Sequence, residues 1–588
     1  MKPLFYSVTS AAVGRAATWG VVAISLLALG LRLWSLDYGL PGVFNMDERP
    51  ILDRALTFAK GDPNPHNFLY PTLYLYLLFA WEALYFIVGR LVGWFGSLAA
   101  FQNAFFVDPS GHVLAGRALT ALFGTATVPA VYVFARRLYG PGVGLAAALF
   151  LAVAPLAVRD AHYVKLDVPV TLFAALALGT LALIVAEPDL AARRGPWMLA
   201  GLFAGLAIST QYYAGVLAVP FVAVALGDVR RSGRWPRSLS LLMLAGVSTV
   251  VGFILGSPFF FFQLGVVSRD FTELRQVDID RAVGSGLFSS INAYGRLLPD
   301  AAGAITAVLA VVGSVSALVR DWRRGVLLVC FPVAFLIFVA NTFPASRYLN
   351  VILPCVSVAA AYAAWELAKI ARNAARPAMV GVCILAAAPA LADSVRWDRF
   401  FGEADTRTLA ASYIEREVPA GSTILVQPYS APVRQSREAL VEALRAHLGD
   451  EARAPVKYRL QLAASPYPAP AFRTLYVGEG GKTGVAPGDV DKLYLSPRAF
   501  SEAGGLAALR QAGVRFVVLT RYGPTPPALS GLEAALRRDG RLVASFSPYR
   551  SGIDPGRAST PPFRHNGNTW IDGSLDRPGP LVDIWRVD

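Results

Sequence analysis

Apolar residues come in long runs over the first two-thirds of the chain and in short runs afterwards. Up to about Val395 the runs are roughly 15 to 25 residues long, which suits a hydrocarbon core of about 30 Å. Runs at 18–36, 113–135, 143–158, 168–186, 198–212, 213–227, 239–256, 301–319, 325–341, 349–369 and 378–395 predict about eleven transmembrane helices. After Arg396 charge, proline and glycine return, and the runs shrink to roughly 5 to 8 residues, the length of strands. There Thr406–Glu417, Leu506–Ala512 and Leu532–Arg538 read as helices, and Thr423–Gln427, Arg515–Leu519, Leu542–Phe546 and Leu581–Arg586 as strands. Helices alternating with short β-rich runs imply a sheet flanked by helices. The expected organisation is a polytopic α-helical membrane domain over residues 1–395, followed by a soluble α/β domain over 396–588.

Charge sets the expected orientation. Arg136-Arg137, Arg193-Arg194, Arg230 to Arg237, Arg320 to Arg324, and Lys369 to Arg376 crowd the short connectors. Basic connectors stay in the cytoplasm. An odd number of crossings then leaves the N-terminus inside and the tail outside, with a plasma-membrane location expected. Residues 70–96 do not fit as a single crossing, because every later Arg cluster would move outside. Their many aromatics, with Glu82 inside the run, predict an interfacial or re-entrant helix instead.

Composition changes this picture little. The chain has 588 residues, 55% hydrophobic and 16% charged, well below the roughly 25% charge of soluble proteins. Its net charge of +14 is explained by the cytoplasmic loops, so no nucleic-acid partner is expected. The three cysteines, Cys330, Cys355 and Cys383, all fall within expected spans, so no disulfide should hold the tail. The first apolar stretch is long enough to span and has no clear cleavage site, which argues against a removed signal peptide. Gly478 to Thr483 ends like a phosphate-binding loop but lacks its spacing, and reads as a surface turn.

With this topology, unusual polar groups collect at one face of the membrane. The first outside loop holds Asn45-Met46-Asp47-Glu48-Arg49 and continues through His66 to Tyr70-Pro71. The second holds Arg159-Asp160-Ala161-His162-Tyr163-Val164-Lys165-Leu166-Asp167, and a later one ends in Arg347-Tyr348. Alone, Asp47-Glu48 would pass for a solvated acidic pair, and Arg347 for an interfacial anchor. Asp167 abuts a long apolar span, where a carboxylate is costly unless paired or functional, and Lys165 and Arg159 are its available ion partners. Carboxylates and cations meeting at one outer surface, beside aromatic segments, suit a lipid-linked anionic substrate whose head group lies at the interface.

In these residues the chain resembles the GT-C superfamily of membrane glycosyltransferases. It is most similar to the protein O-mannosyltransferases of glycosyltransferase family 39 and to bacterial relatives that include the aminoarabinose transferase of lipid A. The features that carry this lie over roughly residues 15–400. They are Asp47-Glu48, Tyr70-Pro71-Thr72-Leu73-Tyr74, Arg117-Ala118-Leu119, Ala135 to Gly140, His162-Tyr163 with Asp167-Val168-Pro169, Gly205 to Thr210, and Arg347-Tyr348. The resemblance implies a sugar donor built on polyprenyl or dolichyl phosphate and a catalytic carboxylate at Asp47 with Glu48 as its partner. The chain departs from many relatives at Tyr70-Pro71-Thr72, where they carry Lys or His before Pro-Pro, and at Gln211, where they carry Lys.

The residue types agree with that chemistry. An acceptor hydroxyl needs a base, and Asp47 is the candidate, with Asp167 as a further carboxylate. A lipid phosphate already leaves well, so no second acid has to protonate it, unlike in glycosidases. It does need cations, for which Arg347 and Lys165 are the candidates, with Arg159, His66, Tyr70, His162 and Tyr348 as further substrate contacts. A single displacement inverts the anomeric centre. No cofactor is required: His66, His112 and His162 have no metal-ligand spacing, although a divalent ion bridging carboxylate and phosphate is compatible with the residues. The competing readings are a transporter or flippase of lipid-linked sugars, which would place its ionisable groups near mid-membrane and show repeated halves, and a receptor read through the tail, which would leave the carboxylates without a task.

Overall fold

Every expected membrane run falls on a helix in the computed structural model, which describes residues 4–282, 286–478, 490–501, 505–567 and 569–587. The chain opens with α1 (Leu4–Leu33), α2 (Glu48–Thr57), α3 (Leu73–Leu91), α4 (Leu98–Val107), α5 (Ser110–Tyr139), α6 (Pro141–Ala152), α7 (Pro155–Asp160) and α8 (Asp167–Ala186). Among the described residues eight helices are long and apolar enough to cross a bilayer, or nine if the bent pair Leu287–Ala302 and Ala304–Arg320 forms one span. The difference from about eleven has local causes. The expected span 143–158 is broken: Ala154 is extended (ψ 120°) ahead of Pro155, which lacks an N–H and disfavours a helical residue before it. The expected span 198–212 is the 15-residue helix Arg194–Ile208. At Gly303 (φ 88°) the chain turns through 116°, so the helix before it lies across the one after it. The last two expected spans are the helices Leu353–Ala368 and Ala375–Gly402, parted by a non-helical Arg372.

Small residues let the helices meet backbone to backbone. A methyl group on Gly205 would collide with the Thr249 carbonyl oxygen, and one on Gly313 with that of Ala359. Without a hydrophobic drive between helices in lipid, such close approach is a main source of packing energy.

The segment 70–96, expected at the interface, is the unbroken helix α3. It begins where two bundle helices finish, with the Leu73 N–H on the Ser209 carbonyl (3.0 Å) and the Thr72 N–H on Ser257 Oγ (3.1 Å). It then runs antiparallel to the first part of α5. The Tyr74 hydroxyl is 2.8 Å from Thr120 Oγ1, Trp81 Nε1 donates to the Ala115 carbonyl (2.8 Å), and Glu82 Oε2 meets His112 Nδ1 (2.9 Å). The rest of α5, as far as Tyr139, continues past the start of α3 in the opposite direction. By length and composition α3 is itself one of the eight helices able to cross a bilayer, where the sequence predicts an interfacial or re-entrant helix, and Ile87 and Leu91 are exposed along it.

The tail carries one six-stranded sheet, ordered β3-β2-β1-β4-β6-β5. Its strands are β1 (Thr423–Val426), β2 (Arg473–Val477), β3 (Leu493–Leu495), β4 (Val514–Arg521), β5 (Arg541–Phe546) and β6 (Leu581–Arg586). β1 to β4 are parallel, while β6 runs antiparallel to both β4 and β5. Ala410 and Ile414 of the helix Thr406–Glu417 pack against one face with Ile424, Val518 and Ile584. Leu509, Leu532 and Leu536 pack against the other with Leu425 and Val517. The expected helices and four of the strands are present. The sequence reading missed β2, β3 and the helices Arg437–Leu448 and Val456–Ala463. The turn expected at Gly478 to Thr483 lies outside the described residues beyond Gly478.

The helix Ala375–Gly402 runs unbroken through the expected domain boundary at 395. Beyond that point Trp397, Phe400 and Phe401 join Tyr38, Tyr163 and the tail residue Phe563 in one buried aromatic cluster. The cluster brings residues 563–567 of the tail to the end of the helix bundle that carries Asp47.

Candidate active site

The first loop is fastened from beneath by an ion pair. Glu48 is fully buried and takes two hydrogen bonds from Arg117, Nε to Oε1 and Nη2 to Oε2, both 2.8 Å. The Val164 N–H adds a third to Oε1 at 3.0 Å. Arg117 Nη1 also donates to the carbonyls of Leu36 (2.8 Å) and Tyr38 (2.7 Å). A buried charge pair of this kind holds only when its remaining hydrogen bonds are filled, as they are here. It ties the end of α1, the start of α2, α5 and the second loop together.

Asp47, the preceding residue, turns the other way and stays partly exposed. Its Oδ2 accepts from Arg347 Nη1 at 3.2 Å and from Asn566 Nδ2 at 3.0 Å, with Lys165 Nζ 3.8 Å away. Asp47, Tyr70, Lys165, Asp167, Arg347 and Tyr348 line one cavity of about 250 Å³, closed on its apolar sides by Ile51, Leu69 and Phe338. Asp167 opens α8 and accepts from the Tyr213 hydroxyl at 3.1 Å. Lys165 is buried, which lowers its pKa against the pull of Asp160 and Asp47. Its ammonium sits 4.7 Å from the centre of the Tyr163 ring. Burial raises the Tyr70 phenol, helped by the nearby Asp47 charge. Two carboxylates and two cations thus line one space, with Asp47 and Arg347 paired directly at its edge.

A second layer sets the turn that carries Arg347. Arg159 is buried and donates through Nε to Asp160 (2.8 Å) and through Nη2 to Ser346 Oγ (3.1 Å). Asn350 Nδ2 bridges Asp160 Oδ2 (2.6 Å) and the Arg347 carbonyl (3.1 Å). The sequence suggests this arrangement only through spacing, since Asn350 lies one 3₁₀ turn after Arg347 in Ser346–Ile352.

Residues 98–254 match a family model described as dolichyl-phosphate-mannose-protein mannosyltransferase. The oligosaccharyltransferase of Archaeoglobus fulgidus, in a crystal structure with Zn and sulfate, has a TM-score of 0.50 to this chain at 16% identity. That alignment covers 89% of this chain and 71% of that one. The chain shares the overall fold of that oligosaccharyltransferase. ArnT from Cupriavidus metallidurans, bound to undecaprenyl phosphate, aligns to this chain with a TM-score of 0.49 and 16% identity, covering 90% of this chain and 96% of that one. No curated protein matches the sequence.

The expected site residues separate into two groups. Asp47, Asp167, Lys165, Arg347, Tyr70 and Tyr348 meet at the cavity. Glu48, Arg159 and His162 lie behind it, and His66 lies apart. His162 is buried with Nδ1 2.9 Å from the Val158 carbonyl and Nε2 2.8 Å from that of Trp34, so it ties α1 to α7. His66 is exposed and pairs with Asp62 at 2.7 Å. Sequence reasoning missed Tyr213, Asn350 and Asn566. Asn566 follows one of only five histidines in the chain, the one signal that could have drawn attention to it. Among the described residues no three His, Cys, Asp or Glu side chains gather as a metal set.

Proposed function

We propose that this integral membrane protein transfers a sugar from a polyprenyl- or dolichyl-phosphate donor to an acceptor hydroxyl, by inverting displacement at the outer face of the membrane. The observation that carries this reading is the meeting of Asp47 with Arg347 and Lys165 in one cavity at an end of the helix bundle. The family model over residues 98–254 supports a dolichyl-phosphate-sugar donor, with mannose as the first sugar to try.

Each group has a task within the displacement. Arg347 and Lys165 bind the phosphate oxygens and stabilise the charge that grows as the C–O bond breaks. Asp47 takes the acceptor proton as the hydroxyl oxygen attacks the anomeric carbon. Tyr70 and Tyr348 supply flat apolar faces suited to a sugar ring or the start of a prenyl chain. No general acid is needed, because the lipid phosphate leaves as an anion. Asp167, held by Tyr213, lines the same cavity and adds a second negative charge near Arg347 and Lys165.

The test is to incubate the purified protein with a panel of radiolabelled polyprenyl-phosphate sugars and follow loss of the label. Wild-type protein should consume one of them. Arg347→Ala should reduce use of that donor by an amount equivalent to about 2–4 kcal/mol, the cost of losing a charge-assisted contact in a dry site. Arg521→Ala, which breaks a tail pair with Asp583 and Glu533, should leave donor dependence near normal. Equal donor dependence in the two variants would remove Arg347 as a phosphate ligand.

The proposed orientation places residues 396–588 outside, on the side of the donor cavity. A reporter active only in the cytoplasm should be on when fused after Arg194 or Arg234 and silent at the C-terminus. A signal at the C-terminus would reverse the orientation.

A further inference from the structure

Asn566 reaches the cavity from the tail and bonds to both working groups at once. Its Nδ2 donates to Asp47 Oδ2 at 3.0 Å, and its Oδ1 accepts from Lys165 Nζ. The strap that carries it is seated on both sides. Before it, Phe563 packs on Trp397, Phe400 and Phe401, and His565 sits against Tyr38 and Tyr163, with Tyr38 Oη 2.9 Å from its Nδ1. After it, the Thr569 hydroxyl donates to Asp300 at 2.9 Å. The amide is therefore held in place by anchors that do not depend on Asp47.

The chemistry of that amide matches a missing partner. An acceptor hydroxyl must donate to Asp47 before it can be deprotonated. A primary amide offers Asp47 a donor of the same kind, and offers Lys165 an oxygen as a phosphate would. It cannot react, because its nitrogen lone pair is delocalised into the carbonyl. With Arg347 and Asn566 both donating to Oδ2, that oxygen has little room for a third donor.

We infer that Asn566 is a positioning residue of the acceptor site: the tail strap holds the place of the acceptor hydroxyl, and a true acceptor must displace it. The inference rests on the proposed function and adds to it a check on wasteful hydrolysis. Without such a check, water could replace the acceptor. Its oxygen would bond to the anomeric carbon, its proton would pass to Asp47, and the C–O bond to phosphate would break with the electron pair leaving on the lipid phosphate. The products would be free sugar and lipid phosphate.

The experiment measures sugar release from the donor identified in the panel, without acceptor, by full-length wild type, Asn566→Ala and Asn566→Asp. Asn566→Ala removes both contacts. Asn566→Asp keeps the size and an oxygen for Lys165 but repels Asp47. Both variants should release free sugar about tenfold faster than wild type, the factor expected for one charge-assisted hydrogen bond. Asn566→Ala should also show a lower KM for acceptor, which a merely structural role would not produce. Hydrolysis no faster than wild type in both variants, with wild-type transfer intact, overturns the inference alone. Wild type that consumes no donor overturns the proposed function, and this inference with it.

Discussion

Asp47→Asn is expected to lower sugar transfer by roughly 100-fold or more, since general-base catalysis contributes about 10²–10⁴. The substitution keeps the size of the side chain and its place beside Arg347 and Lys165, but a carboxamide cannot take a proton at neutral pH. Donor affinity should survive, because cations hold the phosphate and apolar surface holds the lipid. Folding should survive as well, because Asp47 is partly exposed and Glu48, not Asp47, fastens the loop. The measurement is transfer rate and donor affinity on correctly folded protein. Transfer near the wild-type rate would remove Asp47 as the base and bring forward Asp167, the other carboxylate of the cavity.

Glu48→Gln is expected to act through stability. It leaves the buried Arg117 with two backbone carbonyls and no counter-charge. Breaking a buried pair by removing one partner costs about 3–5 kcal/mol. The melting temperature should fall clearly, and activity should be lost together with the folded fraction. Asp47→Asn should show the opposite combination, normal melting with little turnover. Normal melting with lost turnover in Glu48→Gln would instead give Glu48 a chemical task.

These two expectations differ although the residues are neighbours, and the sequence does not separate them. Residue type and spacing marked Asp47-Glu48 as a unit. What separates them is the direction in which each side chain leaves the backbone at the start of α2, and that depends on Arg117 arriving from α5. The same limit applies to Arg159 and His162. Both belong to the right loop, but they face inward to Asp160 and to two carbonyls. His66 has the chemistry of a phosphate contact, but it lies in an exposed loop of its own, paired with Asp62. Arg347, Lys165, Asp167, Tyr70 and Tyr348 were legible because hydrophobic runs place loops reliably at one end of a bundle, and these residues are the polar and aromatic exceptions there. The membrane helices were legible for the same reason. Their breaks at Pro155 and Gly303 were not, since an apolar run looks continuous whether or not the backbone turns inside it. In the tail, β2 lies just after a proline-rich stretch that hid its pattern. Asn566 is 519 residues from Asp47, and no local pattern links the two.

The aromatic cluster that joins Trp397, Phe400 and Phe401 to Phe563 bears on how such a chain can evolve. By composition the tail looks like a detachable module, added after residue 395. The seam does not run there. A crossover at that point would cut a helix in mid-course and set a foreign strap against rings shaped for Phe563. Exchange of whole tails between lineages is therefore disfavoured, and the two parts are expected to drift as one inherited unit, with changes in the bundle's last aromatic rings matched by changes in the strap.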